Sequence, residues 1–227
     1  GVHQAEKKCS GIEMAGYIGI VFHYGLMLFM GKDIRFFGLS ILFVFFAVMI
    51  VYVLTFPKYQ AQQAMAAIFS FLYAPVMLSF VYLLRIGKYG EYIVWVPFVA
   101  WICDTCAYLA GRAFGKHKLC PKLSPKKTIE GAIGGVAGSV VAGAIFGVVL
   151  SGAATHNSDT IWMFMIITLI ASVISQIGDL AASGIKRDHQ IKDYGNLIPG
   201  HGGIMDRFDS VIFVTPTVYL LSVLFIK

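Results

Sequence analysis

The residues best equipped for chemistry in this chain are four aspartates set among apolar neighbours: Asp104, Asp179, Asp206 and Asp209. A charge inside a membrane span is costly and is kept there for a purpose. Clustered carboxylate oxygens are hard ligands that suit Mg²⁺, and Mg²⁺ commonly works on phosphates. Two polar segments are built to hold phosphate. Lys116–Glu130 reads KHKLCPKLSPKKTIE and carries five lysines. Within it, Ser124-Pro125 reads as a helix N-cap followed by the first helical residue. The second segment reads SGIKRDHQIKDYGNLIPGHGGIMDRFD, with Gly200-His201-Gly202-Gly203 just before a helix start. Glycines there let backbone N–H groups cradle phosphate, and the helix N-terminus adds its positive end. Either basic segment alone is a solvated loop; both flanking one carboxylate group point to phosphate chemistry. Histidine ligation fits less well. No two of His3, His23, His117, His156, His189 and His201 share a helical face near the aspartates. His23 reads as a packed or interface residue.

The elements that must position these groups are membrane helices. The chain is 58% hydrophobic and 13% charged, against roughly 45–50% and 25% for soluble domains. Its mean hydropathy is +0.76. This excludes a single soluble domain, a disordered chain, collagen and a coiled coil. The expected fold class is an all-α integral membrane protein with about seven transmembrane helices. The candidate spans are Ile12–Met30, Ile34–Phe56, Ala64–Leu84, Tyr92–Arg112, Gly131–Ser151, Ile161–Ala182 and Asp209–Ile226, each near the ~20 residues a bilayer needs. The first apolar run is followed at once by another, so it reads as a span and not as a cleavable signal peptide.

Helical spacing brings the polar residues together. Ser172, Gln176, Asp179 and Ser183 form one stripe, and Trp101, Asp104, Tyr108 and Arg112 form another. Asp206, Asp209 and Ser210 share a face at the start of the last span. Asp104 lies ~12 Å below the end of its helix and Asp179 ~6 Å below the same side, at ~1.5 Å per residue. The bland alternative is structural charge pairing, for example Asp104 with Arg112.

The net charge is +6, which fits anionic lipid, phosphate ligands and a positive-inside bias; no nucleic acid is expected. Thirteen basic residues fall on the side of the N-terminus and the two polar segments, including Lys7, Lys8, Lys58, Arg112 and Arg207. Five fall opposite: Lys32, Arg35, Arg85, Lys88 and Lys227. The polar segments are therefore expected to face the cytoplasm, across the inner membrane if the source is a bacterium. Gly131/Gly135, Gly134/Gly138 and Gly143/Gly147 are spaced by four, a pattern for close helix packing in lipid. Cys9, Cys103, Cys106 and Cys120 provide no second CxxC pair for a zinc ribbon and read as small apolar residues.

The stretch Ser183-Gly-Ile-Lys186-Arg187, Lys192-Asp193, then Pro199-Gly-His201-Gly202-Gly203-Ile-Met-Asp206-Arg207-Phe-Asp209 resembles the signature of the phosphatidate cytidylyltransferase (CDP-diacylglycerol synthase) family. Trp101, Asp104, Ala107-Tyr108, Gly111-Arg112, Phe114-Gly115-Lys116, Ser124-Pro125-Lys126-Lys127-Thr128 and Glu130-Gly131 form a second similar block, and Gln176, Gly178, Asp179 and Leu180 a third. The likeness covers about 101–210. It sets an expected division into N-terminal transmembrane helices (1–100) and a catalytic transmembrane region (101–227) with polar loops at 113–130 and 183–208. Family members generally carry more N-terminal spans, so some are expected to be missing here.

The resemblance implies that CTP and phosphatidate give CDP-diacylglycerol and pyrophosphate, with Mg²⁺ and a second, monovalent cation such as K⁺. Asp179 and Asp206 are the first expected metal ligands, then Asp209 and Asp104. Asp179, Asp206, Lys186 and Arg207 are the expected catalytic residues. Ser124, Lys126, Lys127, Thr128, Arg187, Lys192, His201, Gly202 and Gly203 are the expected substrate-binding set. Expected partners are CTP, phosphatidate, the lipid bilayer and a second copy in a homodimer. Two rival readings fit less well. A transporter of a phosphorylated solute should show a midplane site and an inverted repeat, and a CDP-alcohol phosphotransferase needs a DGxxAR pattern that this chain lacks.

Overall fold

Backbone N–H and C=O groups find no water in a bilayer core, so apolar runs there close their hydrogen bonds within helices. The computed structural model describes residues 10–30, 34–88, 90–152, 159–195 and 203–225, and helices dominate it. The helices are α1 (Gly11–Met30), α2 (Ile34–Leu54), α3 (Ala61–Phe71), α4 (Met77–Ile86), α5 (Gly90–Ile93), α6 (Val99–Phe114), α7 (Ile129–Leu150), α8 (Asp159–Asp188) and α9 (Met205–Phe225). A hairpin of β1 (Lys118–Cys120) and β2 (Ser124–Thr128) stands between α6 and α7.

Among the described residues, six helical segments are long and apolar enough to cross a membrane: α1, α2, α3 through α4, α7, α8 and α9. The fourth expected span is interrupted. Short α5 is followed by a 3₁₀ turn over Val96–Phe98 containing Pro97, and only then by the 16 residues of α6. The segment from α3 to α4 stays continuous through a π-type turn at Leu72–Val76 around Pro75. Proline removes one helical hydrogen bond, and a widened turn absorbs the loss.

The chain forms two compact units, one up to Ser79 and one from Phe80. In the first, α1, α2 and α3 pack around Ile12, Val44, Val48, Phe71 and Val76. Its outward residues, among them Val21, Phe29, Phe46 and Leu54, are apolar and suit contact with lipid. His23 is fully buried and packed against Phe37 and Phe71, as its sequence context predicts.

In the second unit α6, α7, α8 and α9 pack in succession over a core that includes Val99, Phe164, Ile167, Val211 and Val214. The α7 glycines set the spacing. A Cβ on Gly135 would stand 2.8 Å from the Cys103 carbonyl oxygen, and one on Gly147 2.6 Å from Ile161 Cα. The four-residue glycine spacing is thus a packing device, with Gly131 and Gly135 against α6 and Gly143 and Gly147 against α8. Cys103 is buried and Cys106 half-buried; with Cys120 they are free thiols. Cys9 lies outside the described residues.

Candidate active site

The site grows from the connection between α6 and α7. Gly115 leaves the helix with extended backbone angles, and the chain turns into the hairpin. Lys118 lies opposite Thr128, and Cys120 opposite Ser124. Ser124 is therefore a strand residue and not a helix cap, correcting the expectation from the Ser-Pro pair. The cap is Thr128: its backbone is extended, and its Oγ1 accepts from Gly131 N at 3.1 Å. Glu130, in the first turn of α7, reaches back to the root of the hairpin. Its carboxylate accepts from Lys116 N at 3.1 Å and His117 N at 3.2 Å, and meets His117 Nδ1 at 2.7 Å.

So braced, β2 carries Lys126 and Lys127 over the helices. Lys127 Nζ forms an ion pair with Asp179 Oδ2 on α8. A cavity of about 340 Å³ opens there, lined by Asp104, Arg112, Lys126, Lys127, Gln176 and Asp179 among others. Gln176 Nε2 donates to the Ala132 carbonyl at 3.0 Å, tying α8 to α7 at the cavity wall.

A second cation stands beside the first. Lys186, in the last turn of α8, places Nζ 3.0 Å from Asp206 Oδ1 and 3.6 Å from Asp209 Oδ2. All three side chains are nearly buried. Asp206 also gathers the preceding loop: its Oδ2 accepts from Tyr194 N at 2.8 Å and Gly203 N at 3.0 Å. Tyr194 lays its ring 5.2 Å from Lys186 Nζ. Burial holds its phenol above the ordinary tyrosine range, so it stays a neutral donor, here to the Ala182 carbonyl. Ser210 links the helices again, with Oγ donating to Asp104 Oδ2 at 3.3 Å. Trp101 Nε1 donates to the Arg207 carbonyl at 3.0 Å. Asp179 interacts electrostatically with both Asp104 and Asp209, and also with Lys186. The alternative of a structural pair between Asp104 and Arg112 is not what forms among the described residues; Asp104 accepts from Ser210 instead. Of the four aspartates, the lysine ion pairs among the described residues fall on Asp179, Asp206 and Asp209.

Among the described residues, no three His, Cys, Asp or Glu side chains stand close enough together to hold a metal ion by themselves. This still suits Mg²⁺, which takes one or two carboxylates and completes its shell with water and substrate phosphate. The donors present are hard carboxylate oxygens, and a cation already bridges two of them, the Lys186 ammonium between Asp206 and Asp209.

The model of the cytidylyltransferase family matches residues 3–225. The chain belongs to the cytidylyltransferase family. The phosphatidate cytidylyltransferase of Staphylococcus saprophyticus is 37% identical over 155 residues, 68% of this chain and 56% of the relative. That of Staphylococcus haemolyticus is 38% identical over the same shares. That of Staphylococcus aureus strain COL is 36% identical over 191 residues, 83% of this chain and 69% of the relative. The chain thus spans little more than half the length of the first two.

Within this cytidylyltransferase fold, Asp104, Lys126, Lys127, Thr128 and Asp179 meet at one cavity. Lys186, Asp206, Asp209 and Gly203 meet beside it. Ser124 pairs with Cys120 in the hairpin and does not line the cavity. Arg187 and Lys192 are solvent-exposed. His201 and Gly202 lie outside the described residues, as do Lys7, Lys8, Lys32 and Lys227. The second polar segment begins later than its sequence indicates, because α8 runs on through Asp188. Tyr194 was not singled out by the sequence, for its contribution is a backbone N–H and a ring face. Its one sequence signal is its place between the basic residues and the glycines.

Proposed function

We propose that this protein transfers a cytidylyl group from CTP to phosphatidate, giving CDP-diacylglycerol and pyrophosphate. The observation that carries the reading is a pair of lysine–aspartate groups, Lys127 with Asp179 on the wall of one cavity and Lys186 with Asp206 and Asp209 beside it. Family membership and the names of the relatives support it; a transporter reading receives no such support. An active site at helix ends suits a reaction between one water-soluble and one lipid-soluble substrate.

The phosphatidate phosphate oxygen attacks the α-phosphorus of CTP in line, and pyrophosphate leaves. Such a transfer depends on positioning and charge neutralisation. Lys126 and Lys127 grip the triphosphate from the hairpin side. Lys186 does so from the other side, and Arg207, exposed in the first turn of α9, is assigned to the same phosphates. Buried charges need partners, so the aspartates hold these ammonium groups in place before substrate arrives. Phosphatidate is already ionised at neutral pH, so no general base is required. Asp179, Asp206, Asp209 and Asp104 are the proposed ligands of Mg²⁺, which when bound offsets the repulsion between two anionic substrates. A monovalent cation such as K⁺ and a homodimer rest on the family resemblance alone.

The test is direct: incubate the purified protein with phosphatidate, cytidine-labelled CTP and Mg²⁺, and look for label in the lipid fraction. Folded protein that yields none refutes the reading. The cytoplasmic orientation has its own check. Single cysteines at Lys118 and His189 should both react with an impermeant thiol reagent in inverted vesicles and neither in intact cells. Labelling from opposite sides would separate the two halves of the site.

A further inference from the structure

We propose that Glu130 is a positioning residue for the triphosphate: it fixes the angle of the hairpin, and thereby places Lys126 and Lys127. The inference rests on the functional reading above. Its basis is a concentration of bonds on one carboxylate. Glu130 sits two residues beyond the N-cap of α7, and its side chain crosses the root of the hairpin to the chain entering the other strand. There it accepts from the backbone N–H of Lys116 and of His117 and meets His117 Nδ1 at 2.7 Å. Ile129 N donates to the His117 carbonyl at 2.9 Å, closing the same junction through the backbone. The next pair outward is Lys118 opposite Thr128.

The hairpin would otherwise be poorly held. It has two short strands, and isolated two-stranded hairpins are marginal. Its register is irregular between Lys118 and Cys120. Two contacts hold its working end: the Thr128 cap on Gly131 and the Lys127 pair with Asp179. The second of these must loosen when a phosphate takes the ammonium group. Glu130 then keeps the root of the hairpin fixed against both α6 and α7. A backbone N–H pair beside an imidazole is also a small anion site, and an internal carboxylate filling it keeps it from competing for the triphosphate.

The experiment compares wild type with Glu130→Ala, Glu130→Gln, Lys127→Ala and the Glu130→Ala/Lys127→Ala double variant. The readouts are hydrogen exchange across 116–128, binding of labelled CTP, and turnover. In Glu130→Ala the hairpin amides should exchange at least about tenfold faster, and CTP affinity should fall about tenfold, the low end for a lost charge-assisted bond. The rate at saturating CTP should change much less. Glu130→Gln keeps an oxygen for the backbone donors and should lie between. In the Lys127→Ala background the Glu130 change should add less than about twofold to the affinity loss, because the two act through one element. Unchanged exchange in Glu130→Ala refutes the clamp. Fully additive affinity losses refute action through the hairpin lysines. Should Glu130→Ala fail to fold, Glu130→Gln carries the same comparisons. Wild type without turnover defeats the functional reading, while exchange and CTP binding still decide the clamp.

Discussion

The two units of this chain bury polar groups in different ways. In the first unit, α2 is almost wholly apolar, and the main buried polar contact between helices is neutral: His23 Nδ1 lies 2.7 Å from Ser40 Oγ. The second buries many hydroxyls, but most answer to their own helix. Ser139 donates to Gly135 O, Thr168 to Phe164 O, Ser172 to Leu169 O and Thr215 to Val211 O. Buried polarity alone therefore does not mark a site. The second unit differs in holding charges whose partners come from other elements: Lys127 with Asp179, Lys186 with Asp206 and Asp209, and Ser210 with Asp104. Charge held across helices costs desolvation and is retained for use.

The strongest way to break this comparison is to remove one such charge. Asp179→Asn should lower turnover by ~10²–10³-fold, the usual loss for one electrostatic stabiliser. Chelating divalent cations should abolish turnover in wild type, with Mg²⁺ restoring it. Normal rates for Asp179→Asn at limiting Mg²⁺ would move the metal elsewhere.

Asp206→Asn should cost on the order of 10²-fold in turnover and should differ from Asp179→Asn in a structural readout. Asp206 accepts three donors, from Lys186, Tyr194 and Gly203. Asn offers one accepting oxygen in place of two; turned to the Lys186 ammonium, which would otherwise face the amide NH₂, it leaves the Tyr194 and Gly203 N–H groups, which share Oδ2, without an acceptor. Faster exchange at Tyr194 and Gly203 is expected in this variant and not in Asp179→Asn. Equal exchange in both would reduce Asp206 to a ligand alone.

These two variants also show how far the sequence was legible. Length and hydropathy revealed six of the seven expected spans, because a bilayer demands about twenty apolar residues whatever the fold. Helical spacing revealed that Gln176 and Asp179 share a face of one helix, since phase along a helix is fixed by its own backbone; that Asp104, on another helix, lines the same cavity comes from the packing of α6 and α8. It did not reveal which lysine meets which aspartate, for a lysine has four rotatable carbons and its reach is set by the chain that carries it. That carrier was misread: Ser124-Pro125 has the local signature of a helix start, and nothing local discloses that Ser124 pairs with Cys120. Glu130 escaped because its partners are chiefly backbone N–H groups thirteen and fourteen residues away. The break at Pro97 was hidden by the continuous hydropathy around it.

A smaller effect compares close helix contacts in the two units. A Cβ on Gly135 meets the Cys103 carbonyl oxygen at 2.8 Å and Ala107 Cβ at 3.0 Å. Backbone must move, so Gly135→Ala should cost roughly 1–3 kcal/mol. It should also lower turnover, because Asp104 adjoins Cys103 on the displaced helix. In the first unit, a Cβ on Gly19 meets the Val44 side chain. Gly19→Ala should cost stability while the folded fraction keeps its rate. Thermal unfolding in detergent, with activity per folded molecule, separates the two.

The smallest effect is expected at the neutral pair. Ser40 Oγ donates its one proton to the Phe37 carbonyl at 2.8 Å, so toward His23 it is an acceptor. His23 Nδ1 must then carry hydrogen, a tautomer assigned from the network. Ser40→Ala removes that acceptor from an imidazole that is 0% exposed and packed against Tyr24, Phe37 and Phe71. Moving the proton to Nε2 brings no relief, since Nε2 is buried without a hydrogen-bond partner. Either tautomer leaves one N–H unsatisfied, at about 1–3 kcal/mol. Replacing both members, as in His23→Phe with Ser40→Ala, should recover much of that loss, because a buried polar group no longer goes unpaired. Neither variant should change turnover per folded molecule if the first unit supplies shape and the second supplies charge. A tenfold fall in turnover at unchanged stability would show that the neutral unit takes part in the chemistry and would end the contrast between the two.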